Sequence, residues 1–183
     1  LTANTTGDLN NAVGCGALDA NTTGSFNVGI GGNALGSKTT HNSNTAVGQG
    51  SNGGADGGAS STSIGASSLA VNTASENTAV GACALNANTS GTNNVGVGYQ
   101  SLDSNTSGAQ NVAVGCGALA ANTSAANNTA VGTCALLVNT TGTRNTGLGH
   151  RALDANTEGN CNVAVGMTSL SANTTGDQNT AIG

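Results

Sequence analysis

The side chains that could do chemistry in this chain are few: five cysteines, two histidines, three basic and eight acidic residues among 183. The cysteines are Cys15, Cys83, Cys116, Cys134 and Cys161. They form no C-x-x-C pair and no Cys/His spacing suited to zinc. His150, Arg151 and Asp154 lie close together, but no second histidine or activated nucleophile joins them. His41 stands alone. Asn52 to Gly58, NGGADGG, resembles a glycine-rich calcium nonapeptide, yet it occurs once and carries one Asp. Calcium rolls repeat that unit and stack carboxylates, so we read it as a local loop in a degraded repeat. These residues predict no catalytic centre, no metal and no cofactor, and the chain does not read as an enzyme. The formal charge is −5 with only Lys38, Arg144 and Arg151 as cations, which disfavours nucleic acid as a partner.

Two further patterns carry potential chemistry. Eight Asn-x-Ser/Thr sequons occur, at Asn4, Asn21, Asn88, Asn105, Asn122, Asn127, Asn139 and Asn173. Threonine recurs at a fixed phase: Thr5, Thr22, Thr39, Thr73, Thr89, Thr106, Thr123, Thr140, Thr157 and Thr174. A threonine column raises the idea of an ice-binding surface. These threonines fall in a turn rather than in alternation along a strand, so that reading ranks below the others.

Both patterns follow from one repeat. Asn-x-Ala-Val-Gly motifs start at Asn10, Asn27, Asn44, Ser61, Asn77, Asn94, Asn111, Asn128, Asn145, Asn162 and Asn179, a spacing of 17 residues with one of 16 between Ser61 and Asn77. The consensus is N-T-A-V-G-x-x-A-L-x-A-N-T-T-G-x-x. The array fills residues 1–183, with a degenerate stretch over 38–60, and we expect it to be a window of a longer fibre protein. It includes no signal peptide or apolar run that would cross a membrane. There are 30 glycines, no proline or tryptophan, one Phe and one Tyr. That is neither an ordinary globular core nor a disordered, charge-rich chain.

Seventeen residues rich in Asn and Gly are too few, and too poor in helix formers, for a two-helix repeat. They predict an all-β fold, a parallel β-solenoid of about eleven coils with two short strands per coil. Position 4 is an apolar column: Val13, Ile30, Val47, Ile64, Val80, Val97, Val114, Val131, Leu148, Val165 and Ile182. Position 9 is Leu except at Asn52. Position 5 is invariant: Gly14, Gly31, Gly48, Gly65, Gly81, Gly98, Gly115, Gly132, Gly149, Gly166 and Gly183. It marks a backbone turn with positive φ or a close approach. The glycine of Asn-Thr-Thr-Gly is expected in the left-handed region.

Asn recurs at position 1 (Asn10, Asn27, Asn44, Asn77, Asn94, Asn111, Asn128, Asn145, Asn162, Asn179) and at position 12, where only Lys38 and Ala55 depart. In stacked coils such columns become amide ladders. Glycosylation at the position-12 sequons would block that stacking. All charged side chains fall at positions 7, 10, 12, 13, 14, 16 and 17. Position 3 is always Ala, Gly or Ser and position 8 always Ala or Ser. Adjacent strand residues face opposite sides, so both faces are restricted at 3/4 and at 8/9, as in a doubly buried strand. The small residues would fill the coil interior and Val would need cover from another chain, or the two faces are exchanged. A three-fold arrangement would enclose a continuous Val-lined core, and eleven rungs at ~4.8 Å make a rod about 50 Å long. Most cysteines are then small column fillers. Only Cys116 and Cys134, one rung apart, come near bridging distance, and they are candidates for a cross-link between chains.

The motifs NTAVG and NVAVG are similar to the head repeats of YadA-like trimeric autotransporter adhesins. The fuller units NVGVGYQSLDSNTSG and NTGLGHRALDANTEG resemble tandem repeats of phage tail-fibre-like and bacterial fibre proteins. The resemblance covers essentially the whole chain and is specific for architecture. It implies a left-handed trimeric β-roll in the rod, shaft or head of a fibre, extracellular, at the cell surface or on a virion. The implied partners are other copies of the chain and a cell-surface or host receptor. The adhesin repeat is nearer fourteen residues, so the additional residues here would enlarge the Asn-Thr-Thr-Gly turn. The competing expectation is a self-assembling extracellular filament that stacks end to end through open β-edges.

Overall fold

The computed structural model describes residues 1–54 and 56–183; the expected break of the asparagine column at Ala55 lies outside them. Eleven three-residue strands follow one another: β1 (Asn11–Val13), β2 (Val28–Ile30), β3 (Thr45–Val47), β4 (Thr62–Ile64), β5 (Thr78–Val80), β6 (Val95–Val97), β7 (Val112–Val114), β8 (Thr129–Val131), β9 (Thr146–Leu148), β10 (Val163–Val165) and β11 (Thr180–Ile182). Each pairs in parallel with the next, in sequence order, as one sheet. The register places equal repeat positions side by side, as in Val112↔Thr129 and Val114↔Val131. The fold is a β-solenoid. Below, rung n is the coil that begins with βn.

The expectation of two strands per coil is corrected to one. Positions 8 and 9 do not form a strand with opposed faces; both point inward. Ala118 and Leu119, like Ala135 and Leu136, have no exposed surface. The reason is the backbone: Leu at position 9 adopts positive φ, 50° at Leu18 and 52° at Leu119, so the chain turns where a strand would alternate. Positive φ also recurs at position 7 (Cys83, Cys134, Arg151) and position 17 (Phe26, Asn127, Arg144). Non-glycine residues rarely occupy this region. Here the stack holds them there, because position 9 fills the core and positions 7 and 17 donate N–H groups to the preceding rung, as Cys134 does to Cys116 O at 2.9 Å.

The interior is a narrow column of position 3, 8 and 9 side chains, Ala79, Ala84, Leu85, Leu102, Ala113 and their equivalents. Of the two faces of each strand, the small residue is the buried one. Ala46, Ala113 and Ala130 are fully enclosed, whereas positions 2 and 4 face outward and are only partly covered.

The invariant glycine at repeat position 5 has both properties expected of it. Gly115 sits at φ +138°, and a Cβ there would lie 2.5 Å from Gly132 O. The turn glycine at position 15 is different from expectation. Gly91, Gly108, Gly142 and Gly159 are absent from the positive-φ set. Their requirement is close stacking: a Cβ on Gly159 would lie 2.5 Å from both Asn156 Oδ1 and Gly176 O.

Candidate functional site

Three hydrogen-bonded columns line the Asn-Thr-Thr-Gly corner. At position 12, the regular rungs share one pattern: Nδ2 donates to the Oδ1 of the preceding asparagine and to the carbonyl three residues on. Asn122 Nδ2 reaches Asn105 Oδ1 at 2.7 Å and Ala125 O at 3.1 Å, and Asn156 repeats this with Asn139 and Gly159. At position 1 the backbone takes part. Asn128 N–H donates to Asn111 Oδ1 at 3.0 Å while Asn128 Nδ2 donates to Gly142 O at 2.9 Å. These amides are buried, and the ladders satisfy them together with turn carbonyls. The threonine column forms a third ladder: Thr106 Oγ1 donates to Thr123 O at 3.0 Å, and Thr89 to Thr106 O at 2.9 Å. Among the sequons, Asn21, Asn88, Asn105, Asn122 and Asn139 are enclosed in the ladder, whereas Asn127 stands on the surface.

The outer sheet face carries no charged residue. Position 2 presents Val or Thr in β2 to β11. Position 4 presents Val, Ile or Leu, and Ile30, Ile64 and Leu148 are 40–46% exposed. Side chains in register at the ~4.8 Å strand spacing make two parallel apolar and hydroxyl-bearing rows along the rod. The charged residues all lie on other sides of the coil.

The second and third rungs are irregular. Lys38 replaces Asn in the position-12 column and is fully buried. Its ammonium donates to Gly57 O at 2.5 Å and, two rungs away, to Asn72 O at 2.7 Å. Burial pushes it down to about 8, against the opposing pull of the Asp56 carboxylate. Asn21 Oδ1, which would accept from an asparagine at 38, has no hydrogen-bond partner. Asp56 takes the place of the column threonine in rung three. It accepts from Thr39 N–H at 2.9 Å and from the Thr39 hydroxyl, and it pairs with His41 Nδ1 at 2.9 Å. Burial alone would raise its carboxyl; the Thr39 and His41 hydrogen bonds and the His41 charge outweigh that and hold it at about 2. His41, solitary in sequence, is therefore joined to Asp56 in space.

The residue shortage in rung four is absorbed in the turn. Asn72 Nδ2 caps Ala74 O, two residues on, while the strand register continues from Thr62 to Thr78. Ser61 keeps the position-1 column continuous. Its N–H donates to Asn44 Oδ1 and its hydroxyl accepts from Asn77 N–H.

The remaining candidates are dispersed. Arg151 Nε donates to Asp154 Oδ2 at 2.6 Å as a partly exposed pair, with His150 exposed beside it. The five thiols are free; Cys15, Cys116 and Cys161 are exposed and Cys83 and Cys134 half-buried. Among the described residues no three of His, Cys, Asp and Glu cluster as metal ligands, and no helix is long and apolar enough to cross a membrane. No protein-family model, no curated protein and no solved structure matches this chain.

Proposed function

We propose that this chain is the structural rod of an extracellular or virion fibre, the shaft or repetitive head of an adhesin or phage tail-fibre-like protein, and that three copies assemble through the outer sheet face. The observation that carries the reading is that face: a charge-free row of Val, Ile and Leu at position 4, flanked by Val and Thr at position 2, partly exposed along the rod. Two side chains wide and about 50 Å long, it offers roughly 500 Å², at the upper end of what monomers expose. Shared with two neighbours, that is about 250 Å² per contact, below the ~800 Å² per partner of a standard interface, so a trimer also has to bury the turns that flank the face. The ladders supply stiffness along the axis and the shared face supplies lateral cohesion, so the role is mechanical and adhesive. Exposed Cys116 and half-buried Cys134 are available for cross-links between chains.

Light scattering across a concentration series tests this. A constant mass of three chains is expected, and Val114→Glu together with Val131→Glu should reduce it to one chain without loss of sheet signal. A mass that climbs with concentration favours the end-to-end filament. A stable single chain at all concentrations overturns the trimer.

A further inference from the structure

The interior column changes character at one place. Leu18, Leu35, Ala34 and Ala46 form one apolar cluster, and a second begins at Leu69. Between them the inward positions are Ser51 and Asn52 in rung three and Ser63 and Ser68 in rung four, all without exposed surface. The rung-four hydroxyls are satisfied. Ser63 Oγ and Ser68 Oγ are 2.7 Å apart, and Ser68 Oγ also donates to Gly65 O. Ser101, at the same repeat position, likewise donates to Gly98 O. Ser51 has the equivalent carbonyl, Gly48 O, in its own rung, yet its hydroxyl makes no such bond. Ser51 Oγ, Asn52 Oδ1 and Asn52 Nδ2 are all buried without a hydrogen-bond partner among the described residues.

Three unpartnered polar atoms on adjacent buried residues are a strongly unfavourable arrangement in a dry interior. The carboxamide offers a donor and an acceptor, and the hydroxyl offers both. Asn is also smaller than the Leu it replaces, by more than the roughly 30 Å³ that one water occupies in the liquid. Directly outside, a groove of about 390 Å³ is lined by Gly16, Asn33, Gly36, Gly50, Gly53 and Ser67 among others. Gly50 and Gly53 are the residues on either side of Ser51 and Asn52, and a Cβ on Gly50 would meet nothing within 4 Å. The wall between the polar pair and solvent is therefore thin.

We propose that rung three holds an internal hydration site: one or two ordered waters bound by Asn52 Oδ1, Asn52 Nδ2 and Ser51 Oγ, exchanging through the glycine-lined groove. The site divides the apolar core into its two clusters. It does not depend on the trimer, because position 9 lies inside the coil.

Water ¹⁷O relaxation dispersion on the 183-residue chain reads the number of long-lived internal waters. Asn52→Leu, which restores the repeat consensus, is expected to lower the dispersion amplitude by at least one water and to raise the thermal midpoint. Ser51→Ala is expected to lower the amplitude while leaving the fold intact, and it serves alone if Asn52→Leu fails to fold. An amplitude unchanged in the folded variant overturns the proposal. So does a high-resolution crystal structure in which Asn52 and Ser51 bond only to protein groups.

Discussion

A single side chain in this solenoid acts on two rungs at once. Asn122 donates to Asn105 and Ala125 and accepts from Asn139. Asn122→Ala leaves buried Asn105 Oδ1 without its donor and removes one of the two donors to Ala125 O, which keeps Asn111 Nδ2, and should cost about 1–3 kcal/mol. Exposed Ser124→Ala is the near-neutral control, both read as chemical-denaturation midpoints. Gly115→Ala combines a positive φ with a Cβ 2.5 Å from Gly132 O, and should cost about 3 kcal/mol or more. Equal stability of Gly115→Ala and wild type would contradict the stacking account of the glycine column. At this scale the columns were readable in advance. What was not readable was the left-handed backbone of Leu119, Cys134 and Arg144, because none of these residue types favours it. Stacking imposes that conformation, not local preference.

At the scale of the element, the irregular second and third rungs are held by charge where their neighbours are held by amides. The Asp56 carboxyl lies at about 2 in the fold against an ordinary 3.8. A depressed carboxyl stabilises the fold above its unfolded value, and that contribution is lost as pH falls towards the folded one. The difference in thermal midpoint between wild type and Asp56→Asn should therefore be present at about pH 5 and close between pH 3.8 and 2. Lys38 gives a slope of the same sign at higher pH, although here it is the charged form that the fold disfavours. Its folded value of about 8 lies below the ordinary 10.5, so the unfolded chain binds more protons between them and stability rises with pH across that window. The midpoint of wild type relative to Lys38→Met should climb from pH 8 to 10.5; a flat difference would show that the buried ammonium is not the group responsible. The sequence marks residues 38–60 as degenerate through the simultaneous loss of Leu, Asn and Thr. It does not show that Lys38 spans two rungs or that His41 meets Asp56, since both contacts exist only once the coils are in register.

For the whole molecule, each coil touches only its neighbours, so stability is close to a sum of rung and interface contributions. The core nevertheless falls into two apolar clusters, a short one over Leu18–Ala46 and a long one from Leu69 to Ala164. Hydrogen exchange should follow that division. Amides of β2 and β3 are expected to exchange faster than those of β6 to β8, and Asn52→Leu should narrow the gap. Uniform protection along the rod would mean that the polar break does not divide the cooperative unit.

Period, parallel stacking, the amide ladders and the exclusion of charge from the strand were all determined by the sequence alone. A 17-residue repeat brings like residues together whatever the details of the coil, so columns such as Asn105–Asn122–Asn139 can be read without coordinates. Tertiary structure alone decided which side of the strand is inside. Ala113 and Val114 are both uncharged and column-forming, and either could fill a core. The turn at Leu119, with its positive φ, sends Leu inward beside Ala. Ala113 is fully enclosed against that column, and Val114 stays on the outer face, only partly covered.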